Sequence, residues 1–383
     1  MLEAELITER GSLESLSDQW DALAVADSEP QMSPAWIIAW WRHLAPEQAK
    51  PRVVAVREEG RLIGLAPFFV DHEVRGRIDY RLADIRIFGR LSPLAAPGRE
   101  WDAAGAVGRM FAEAHPPPDL VALEALPLAS PWTVALRDRW PSRIRPLTSQ
   151  YLVCGCPTVS LRDRSFDDWL ASKSSNFRGQ MRRLSRRFEA QGGATRTSTA
   201  ATLKADVDAL VRLHGSRWEG RGNSNLVAFG ERLSPMLCEV GEQLLKSGRF
   251  RLRMLEIEGE PISAQLFLAA GERVLYVNGG WDERFAQLKP PMLGLLGAVE
   301  DAFERGNQTL DLGLGEQQYK LRFADDNDPV AWSVLMVPSR RLPLTWARTT
   351  PMLVQSAARD AVKRGLSPAQ ANRLRELRDR IRR

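Results

Sequence analysis

The stretch from Gly271 to Phe323 constrains the fold of this chain most, because its pattern changes from strand to helix and back within one segment. β-Branched and aromatic residues alternate first, a polar loop closed by prolines follows, and apolar residues then recur at helical spacing. Gly306 is placed to end the helix. The elements are the strand Glu272–Gly280, the loop Glu283–Pro291, the helix Met292–Arg305 and the strand Thr309–Leu312.

This segment predicts a β–α–β unit. Such a unit places a helix N-terminus beside two strand ends, where backbone N–H groups and the helix dipole can hold an anionic group. Two further strand patterns, Arg249–Glu258 and Pro261–Ala270, are joined by a Gly-Glu turn and lead directly into the unit. Three consecutive antiparallel strands are therefore expected before the helix.

Length and composition indicate a globular protein of two domains. The 383 residues are 44% hydrophobic and 26% charged, and single domains cluster near 100–200 residues. Prolines near residues 140–160 place the boundaries at 1–150, 151–340 and a tail at 341–383. No apolar run reaches the ~18 residues that span a bilayer, and the acidic start is unlike a signal peptide, so a cytoplasmic location is expected.

The histidine and cysteine patterns argue against a metalloenzyme. Only four histidines occur, and no two of them have helical ligand spacing. Cys154 and Cys156 are one residue apart on a predicted strand, a spacing that suits neither a disulfide framework nor a metal site. These cysteines are expected to be small buried residues.

The first half predicts helices, a strand hairpin and a further strand–helix–strand order. A helix begins after Ser33 with proline at its first position, and its three tryptophans are expected to pack in the core, with an aromatic cleft wall as the alternative. The other predicted elements are strands Arg52–Arg57, Leu62–Val70, Asp84–Phe88 and Asp119–Leu126 and helices Ala103–Ala114 and Trp132–Arg139.

The second half repeats this order in outline. It predicts a long helix from Phe166 to Gly192, which carries a run of arginines, then helices Leu203–Trp218 and Ser234–Lys246. Two tandem copies of one fold explain the repeated order. The predicted fold class is therefore α/β (α+β), with two domains that each contain a mixed, mostly antiparallel sheet flanked by helices.

The tail predicts a basic amphipathic helix. Leu374, Leu377 and Ile381 form a narrow apolar stripe among arginines. One interpretation is a helix docked on the body of the protein with a solvated face. The alternative is contact with anionic lipid or with a partner. Contact with lipid would make the protein peripheral to a membrane.

The ordered set of elements resembles a known family. The arginine-rich helix Ser174–Gly193, the strand–loop–helix that ends at Gly306, the sequence Asp-Leu-Gly after Leu310, and the pair Tyr319-Lys320 are similar to CelD-type acetyltransferases of the GNAT superfamily. That family resembles in turn the Fem-type aminoacyl transferases, which carry two GNAT-like domains. The resemblance covers about residues 10–335.

The resemblance implies direct acyl transfer from acetyl-CoA or another acyl-CoA to an amine or hydroxyl of a sugar or polysaccharide precursor. It also implies that the pantetheine arm pairs with the edge of the predicted strand from Val274 to Gly280. The diphosphate would lie at the following loop. The donor-binding residues implied in this way are Tyr276, Val277, Asn278, Gln287, Lys289, Met292 and Leu293.

Direct transfer needs an acid for the departing thiolate and a base for the attacking group. By resemblance, Tyr319 is the acid. Asp282, Glu283 and Asp311 are the candidate bases, and Lys320 is expected to pair with a carboxylate or a phosphate, or else to be solvated. A strand that included both Asp282 and Glu283 would point them to opposite faces, so that at most one of the two would serve.

One departure from the family keeps other functions open. Where the family places two glycines in its phosphate loop, this chain has Pro290 and Met292, and Pro290 and Pro291 both lack an N–H. Lys289 would attract phosphate as a point charge. Two alternatives are aminoacyl transfer from charged tRNA, with Arg178, Arg182 and Arg186 tracking phosphates, and a non-catalytic scaffold in an envelope-polysaccharide pathway.

Overall fold

The structure is a computed structural model that describes residues 2–71, 76–83, 89–218 and 227–365. Two sequence predictions lie outside these residues: the strand Asp84–Phe88 and the apolar stripe of the tail. The described part of the tail is helical, from Leu342 to Gly365.

The strands form two sheets, and each sheet is flanked by helices. The strands are β1 Leu2–Ile7, β2 Lys50–Glu58, β3 Arg61–Asp71, β4 Asp79–Leu82, β5 Leu94–Ala95, β6 Leu120–Pro127, β7 Leu147–Cys154, β8 Pro157–Ser160, β9 Gly193–Thr197, β10 Phe250–Ile257, β11 Glu260–Ala270, β12 Arg273–Trp281, β13 Thr309–Asp311, β14 Asp326–Asn327 and β15 Val330–Met336.

The helices connect and cover these strands. The α-helices are α1 Ser17–Ala26, α2 Pro34–His43, α3 Glu100–Glu113, α4 Trp132–Asp138, α5 Phe166–Ser172, α6 Ser175–Glu189, α7 Leu203–Trp218, α8 Leu233–Leu244, α9 Pro290–Glu304, α10 Gln318–Phe323 and α11 Leu342–Gly365. Short 3₁₀ helices cover Arg10–Leu16, Pro30–Met32, Val227–Arg232 and Glu283–Leu288.

The two sheets repeat one topology, which confirms the predicted mixed sheets. In the first sheet the order is β1-β2-β3-β4-β6-β15-β7, and only the β4–β6 pair is parallel. In the second the order is β9-β10-β11-β12-β13-β8-β14, and only the β12–β13 pair is parallel. A helix, α3 or α9, connects the parallel strands in each case.

One strand from the C-terminal part of the chain lies in the first sheet. β15, from the C-terminal part of the chain, lies between β6 and β7 in the first sheet. β8, from the middle of the chain, lies between β13 and β14 in the second. The predicted C-terminal segment 151–340 therefore contributes a strand to the N-terminal sheet, so sheet membership does not follow a cut at residue 150.

The predicted long helix from Phe166 is two helices. α5 ends at Ser172, and Ser174 begins α6 by accepting a hydrogen bond at its hydroxyl from the Phe177 N–H, 3.2 Å away. A serine cap competes well with helix continuation because it satisfies an amide that has no partner inside the helix. The apolar spacing carries on across this break, which is why the sequence pattern hides it.

Two apolar layers enclose the second sheet. One layer joins α1, α2, α3, α7 and α8 with strands of both sheets in a single cluster, which includes the fully buried Trp36. The other lies beneath α5, α6, α9 and α10 and includes Trp169 and Phe323. Trp40 and Trp41 are also buried, so the tryptophans of α2 pack in the core as predicted.

Candidate active site

The parallel strands β12 and β13 run together for only a short distance. Their ladder pairs Arg273 with Thr309, Val274 with Leu310 and Leu275 with Asp311, and β13 ends there. β12 continues to Trp281, paired on its other side with β11. The two strands therefore separate past Leu275, and an extended ligand can add to the edge of β12 that faces away from β11.

β12 contains one extra residue where it pairs with β11. Leu266 of β11 lies opposite Asn278 and Phe267 lies opposite Tyr276, so Val277 is the additional residue of a β-bulge. A bulge bends and twists the strand that carries it. The regular course of β12 is thus interrupted at the predicted pantetheine residues.

The three predicted pantetheine residues have different surroundings. Tyr276 packs against Phe267 with ring centroids 5.2 Å apart. Val277 and Asn278 line a cavity of about 10 Å³ between β12 and α7, which holds one water at most. Their side chains thus contribute to packing, and a donor on this strand would contact mainly its backbone.

The start of α9 has few free donors for a diphosphate. Pro290 and Pro291 have no N–H, and the amides of Met292 and Leu293 already donate to the Lys289 carbonyl at 2.9 and 3.4 Å. The four N–H groups that a helix N-terminus normally leaves free belong here to residues 289–292, and the Lys289 amide already donates to the Ala286 carbonyl at 3.1 Å. Each of the four is thus absent or bonded. Lys289 is exposed and has φ 49°, in the left-handed region, and Gln287 is exposed beside it.

Asp282 and Glu283 lie beyond the end of β12, so the expectation that they alternate on a strand is wrong. Asp282 caps the following 3₁₀ helix and binds the Arg284 guanidinium at 2.6 Å, and these hydrogen bonds lower the pKa of its carboxyl. Glu283 is exposed. Both lie ~20 Å along the strand from Leu275 at ~3.3 Å per residue, far from the Asp311 side of the opening.

Asp311 is fully buried at the end of β13. One carboxylate oxygen accepts the Gly313 N–H at 2.8 Å. The other lies 3.5 Å from Arg273 and 3.7 Å from Arg90. A buried carboxylate with two guanidinium partners is suited to holding charge in place rather than to accepting a proton from a substrate.

Lys320 lies close to the point where the strands separate. It is 5% exposed, and its Nζ donates to the Leu314 carbonyl at 2.9 Å and lies 5.6 Å from the centre of the Tyr276 ring. Burial lowers the pKa of Lys320 to about 8, although the negative charge of Asp311 opposes this shift. An amine with this pKa can accept and release a proton near neutral pH.

Packing at the other end of α10 fixes the position of Lys320. Phe323, one turn later on the same face, packs against Phe177 with ring centroids 5.0 Å apart and stacks on Trp169 at 6.1 Å. Tyr319 is half-buried and packs against the same cluster. Of the predicted catalytic residues, the structure therefore brings Asp311 and Lys320 together and holds Tyr319 beside them.

The sequence did not single out three further residues at this site. Arg90 is buried and binds Asp328 at 2.6 Å as well as facing Asp311. Arg273 begins β12. Cys156 is buried, and burial together with the negative charge of Asp311 raises the pKa of its thiol. Arg90 is more than two hundred residues from Asp311 in the chain, so no local pattern could have paired them.

Within the described ranges 2–71, 76–83, 89–218 and 227–365, no set of His, Cys, Asp or Glu side chains is arranged to hold a metal ion. No helix in the same ranges combines the length and apolar character needed to cross a membrane.

Comparison with known proteins identifies a domain around this site. Residues 175–321, which include α6 to α10, match the family described as "Acetyltransferase (GNAT) domain". Comparison with curated protein sequences gave no match.

Solved structures share the fold of nearly the whole chain. FemX is 11% identical with a TM-score of 0.59, and the alignment covers 89% of this chain and 98% of FemX. The C-terminal domain of an Agrobacterium fabrum protein described as a lysylphosphatidylglycerol synthetase is 10% identical with a TM-score of 0.56, covering 88% and 96%. A Bacteroides thetaiotaomicron protein of unknown function is 11% identical with a TM-score of 0.56, covering 88% and 100%.

These comparisons agree with the geometry of the site. The separated strands, the β–α–β unit and Lys320 all lie within the matched residues. The predictions of a GNAT-like fold and of an acyltransferase are thus confirmed: residues 175–321 match a GNAT acetyltransferase domain.

Proposed function

We propose that this chain transfers an acyl group from acyl-CoA to an amine or hydroxyl of a sugar or polysaccharide precursor. The observation that carries the proposal is the opening between β12 and β13 with Lys320 at its inner end. A thioester donor laid along the edge of β12 would bring its acyl carbon toward the Lys320 end of the opening. The sugar acceptor rests on the resemblance to CelD-type acetyltransferases.

In this proposal Lys320 is the general base. Its neutral form takes the proton of the attacking amine or hydroxyl as that group bonds to the thioester carbon. The thioester C–S bond then breaks, the sulfur leaves with a proton from Tyr319, and the acceptor keeps the acyl group. Asp311 and Arg273 position the strand end and do not exchange protons with substrate.

The first test is an assay of thiol release. Purified protein is incubated with acetyl-CoA and longer acyl-CoAs in the presence of amino sugars, sugar nucleotides and peptide amines. We expect release that depends on an acceptor and falls about 100-fold or more in Lys320→Met, which is in the range for loss of one acid–base group. Thiol release at the same rate in Lys320→Met would contradict the assigned base.

A second candidate function is aminoacyl transfer from charged tRNA. The absent and bonded amides at the start of α9 favour it, because they leave a CoA diphosphate without its usual donors. The shared fold with FemX is compatible with it, as Fem-type proteins are aminoacyl transferases. Transfer of a labelled amino acid from charged tRNA, with no turnover of any acyl-CoA, would favour this candidate over the first.

A further inference from the structure

A groove on the outer face of α6 is lined by three arginines and two carboxylates, so its lining carries a net positive charge. It has a volume of about 640 Å³ and lies between α5, α6 and α9. Its walls include Arg182, Ser185 and Arg186 on one side and the apolar Leu170 and Leu296 on the other. This volume falls in the ~300–1,000 Å³ range of small-ligand sites.

The arginines of this groove have no carboxylate partner among the described residues. Arg182 makes only a 3.5 Å contact from Nε to the Arg178 carbonyl, and no ion pair of Arg186 is found in the described part of the chain. Arg178 differs, because it donates to the Ala171 carbonyl at 2.7 Å and so caps the end of α5. Asp167 and Glu189 also line the groove without an ion pair to these arginines.

The groove adjoins the loop that lacks phosphate donors. Phe188, near the end of α6, is in one apolar cluster with Leu288, immediately before Lys289. Arg182 and Arg186 are ~6 Å apart along the helix, at 1.5 Å rise per residue. Two guanidinium groups at that spacing suit phosphate oxygens, and the apolar wall suits a flat base.

We propose that the groove of Arg182, Ser185 and Arg186 binds the phosphorylated nucleotide end of the acyl-CoA donor in place of the amides missing from α9. This inference rests on the proposed acyl-CoA function. A groove of about 640 Å³ between three helices fits one nucleotide better than a continuous strand of RNA.

The test compares two double variants of one helix. Arg182→Ala with Arg186→Ala removes the groove charges, whereas Arg183→Ala with Arg187→Ala removes two exposed arginines of α6 that do not line the groove. CoA affinity is measured by calorimetry, and folding is checked by circular dichroism. We expect the groove variant to bind CoA at least about 10-fold more weakly, and the control variant to bind within about 2-fold of wild type.

A truncated donor separates this inference from the proposed function. Acyl-pantetheine lacks the nucleotide, so wild type and the groove variant should use it equally well. Equal CoA affinity in wild type and the groove variant would overturn the inference while leaving the acyltransferase intact. If wild type neither binds CoA nor turns over acyl-pantetheine, both the inference and the proposed function are overturned. Loss of tRNA binding in the groove variant, with no such loss in the control variant, would replace CoA with RNA as the occupant.

Discussion

At the scale of single residues, burial decides which ionisable group can do chemistry. Asp282 and Glu283 have the right residue type, but the first is held by Arg284 and the second is exposed at the far end of β12. Lys320 lost most of its hydration when α10 packed against the core, and its charged form is disfavoured there. The group at the opening that can exchange a proton near neutral pH is therefore a lysine and not a carboxylate.

This assignment predicts the pH dependence of catalysis. Because Lys320 must be neutral to act as a base and its pKa is about 8, kcat/KM should rise with pH and level off above about 8. The same shift affects stability: the folded state binds fewer protons than the unfolded chain between about 8 and 10.5, so the contribution of Lys320 to the free energy of unfolding rises with pH across that window.

The measurement is a pH–rate profile of wild type, Lys320→Arg and a control, Lys204→Arg. Arginine keeps the charge but does not deprotonate, so Lys320→Arg should lose both the activity and the inflection near pH 8. Lys204 is exposed and pairs with Asp208 on α7, so its variant should keep the wild-type profile. An unchanged inflection in Lys320→Arg would assign it to another group.

At the scale of elements, the approach of α7 to β12 depends on a glycine. A Cβ at Gly280 would lie 2.3 Å from the backbone nitrogen of His214 in α7. The nearest atoms on α7 all belong to the backbone, so no flexible side chain can move aside to make room for this Cβ. The strand and the helix can pack this closely only because residue 280 has no side chain.

Two alanine substitutions should therefore change stability in opposite directions. Gly280→Ala should lower the free energy of unfolding by about 1–3 kcal/mol, as overpacking of a core does. Gly215→Ala, on α7 itself, meets nothing within 4 Å and should raise it by about 0.5–1 kcal/mol through helix propensity. Urea unfolding measures both, and equal effects of the same sign would contradict the contact between Gly280 and α7.

At the scale of the whole molecule, β15 joins the two halves of the chain. β15 supplies the partner of both β6 and β7, and β8 pairs with both β13 and β14. Arg90, from the first half, also contacts Asp311 and Asp328 in the second. The first sheet is incomplete without a strand from the second half.

Removing β15 should therefore unfold the first sheet. A chain that ends at residue 341 keeps β15 and is expected to unfold in one cooperative transition. A chain that ends at residue 328 lacks it, leaves β6 and β7 without their shared partner, and should lose native circular dichroism and cooperative unfolding. Native-like melting of the shorter chain would show that the first sheet folds without β15.

The sequence by itself determined the local elements and their order. Alternation, helical spacing, Gly306 and the prolines define β10, β11, β12 and α9 to within a few residues, because these signals act between neighbours in the chain. The repeated order also indicated two copies of one fold. The break at Ser174 was missed because an apolar stripe can continue across two helices.

Only the tertiary structure decided which residues form the site. The meeting of Arg90 and Asp311, the burial of Lys320 and the insertion of β15 between β6 and β7 all depend on contacts between segments far apart in the chain. Local patterns carry no information about such contacts. A pKa is likewise set by surrounding solvent and charge, which exist only once those segments have packed together.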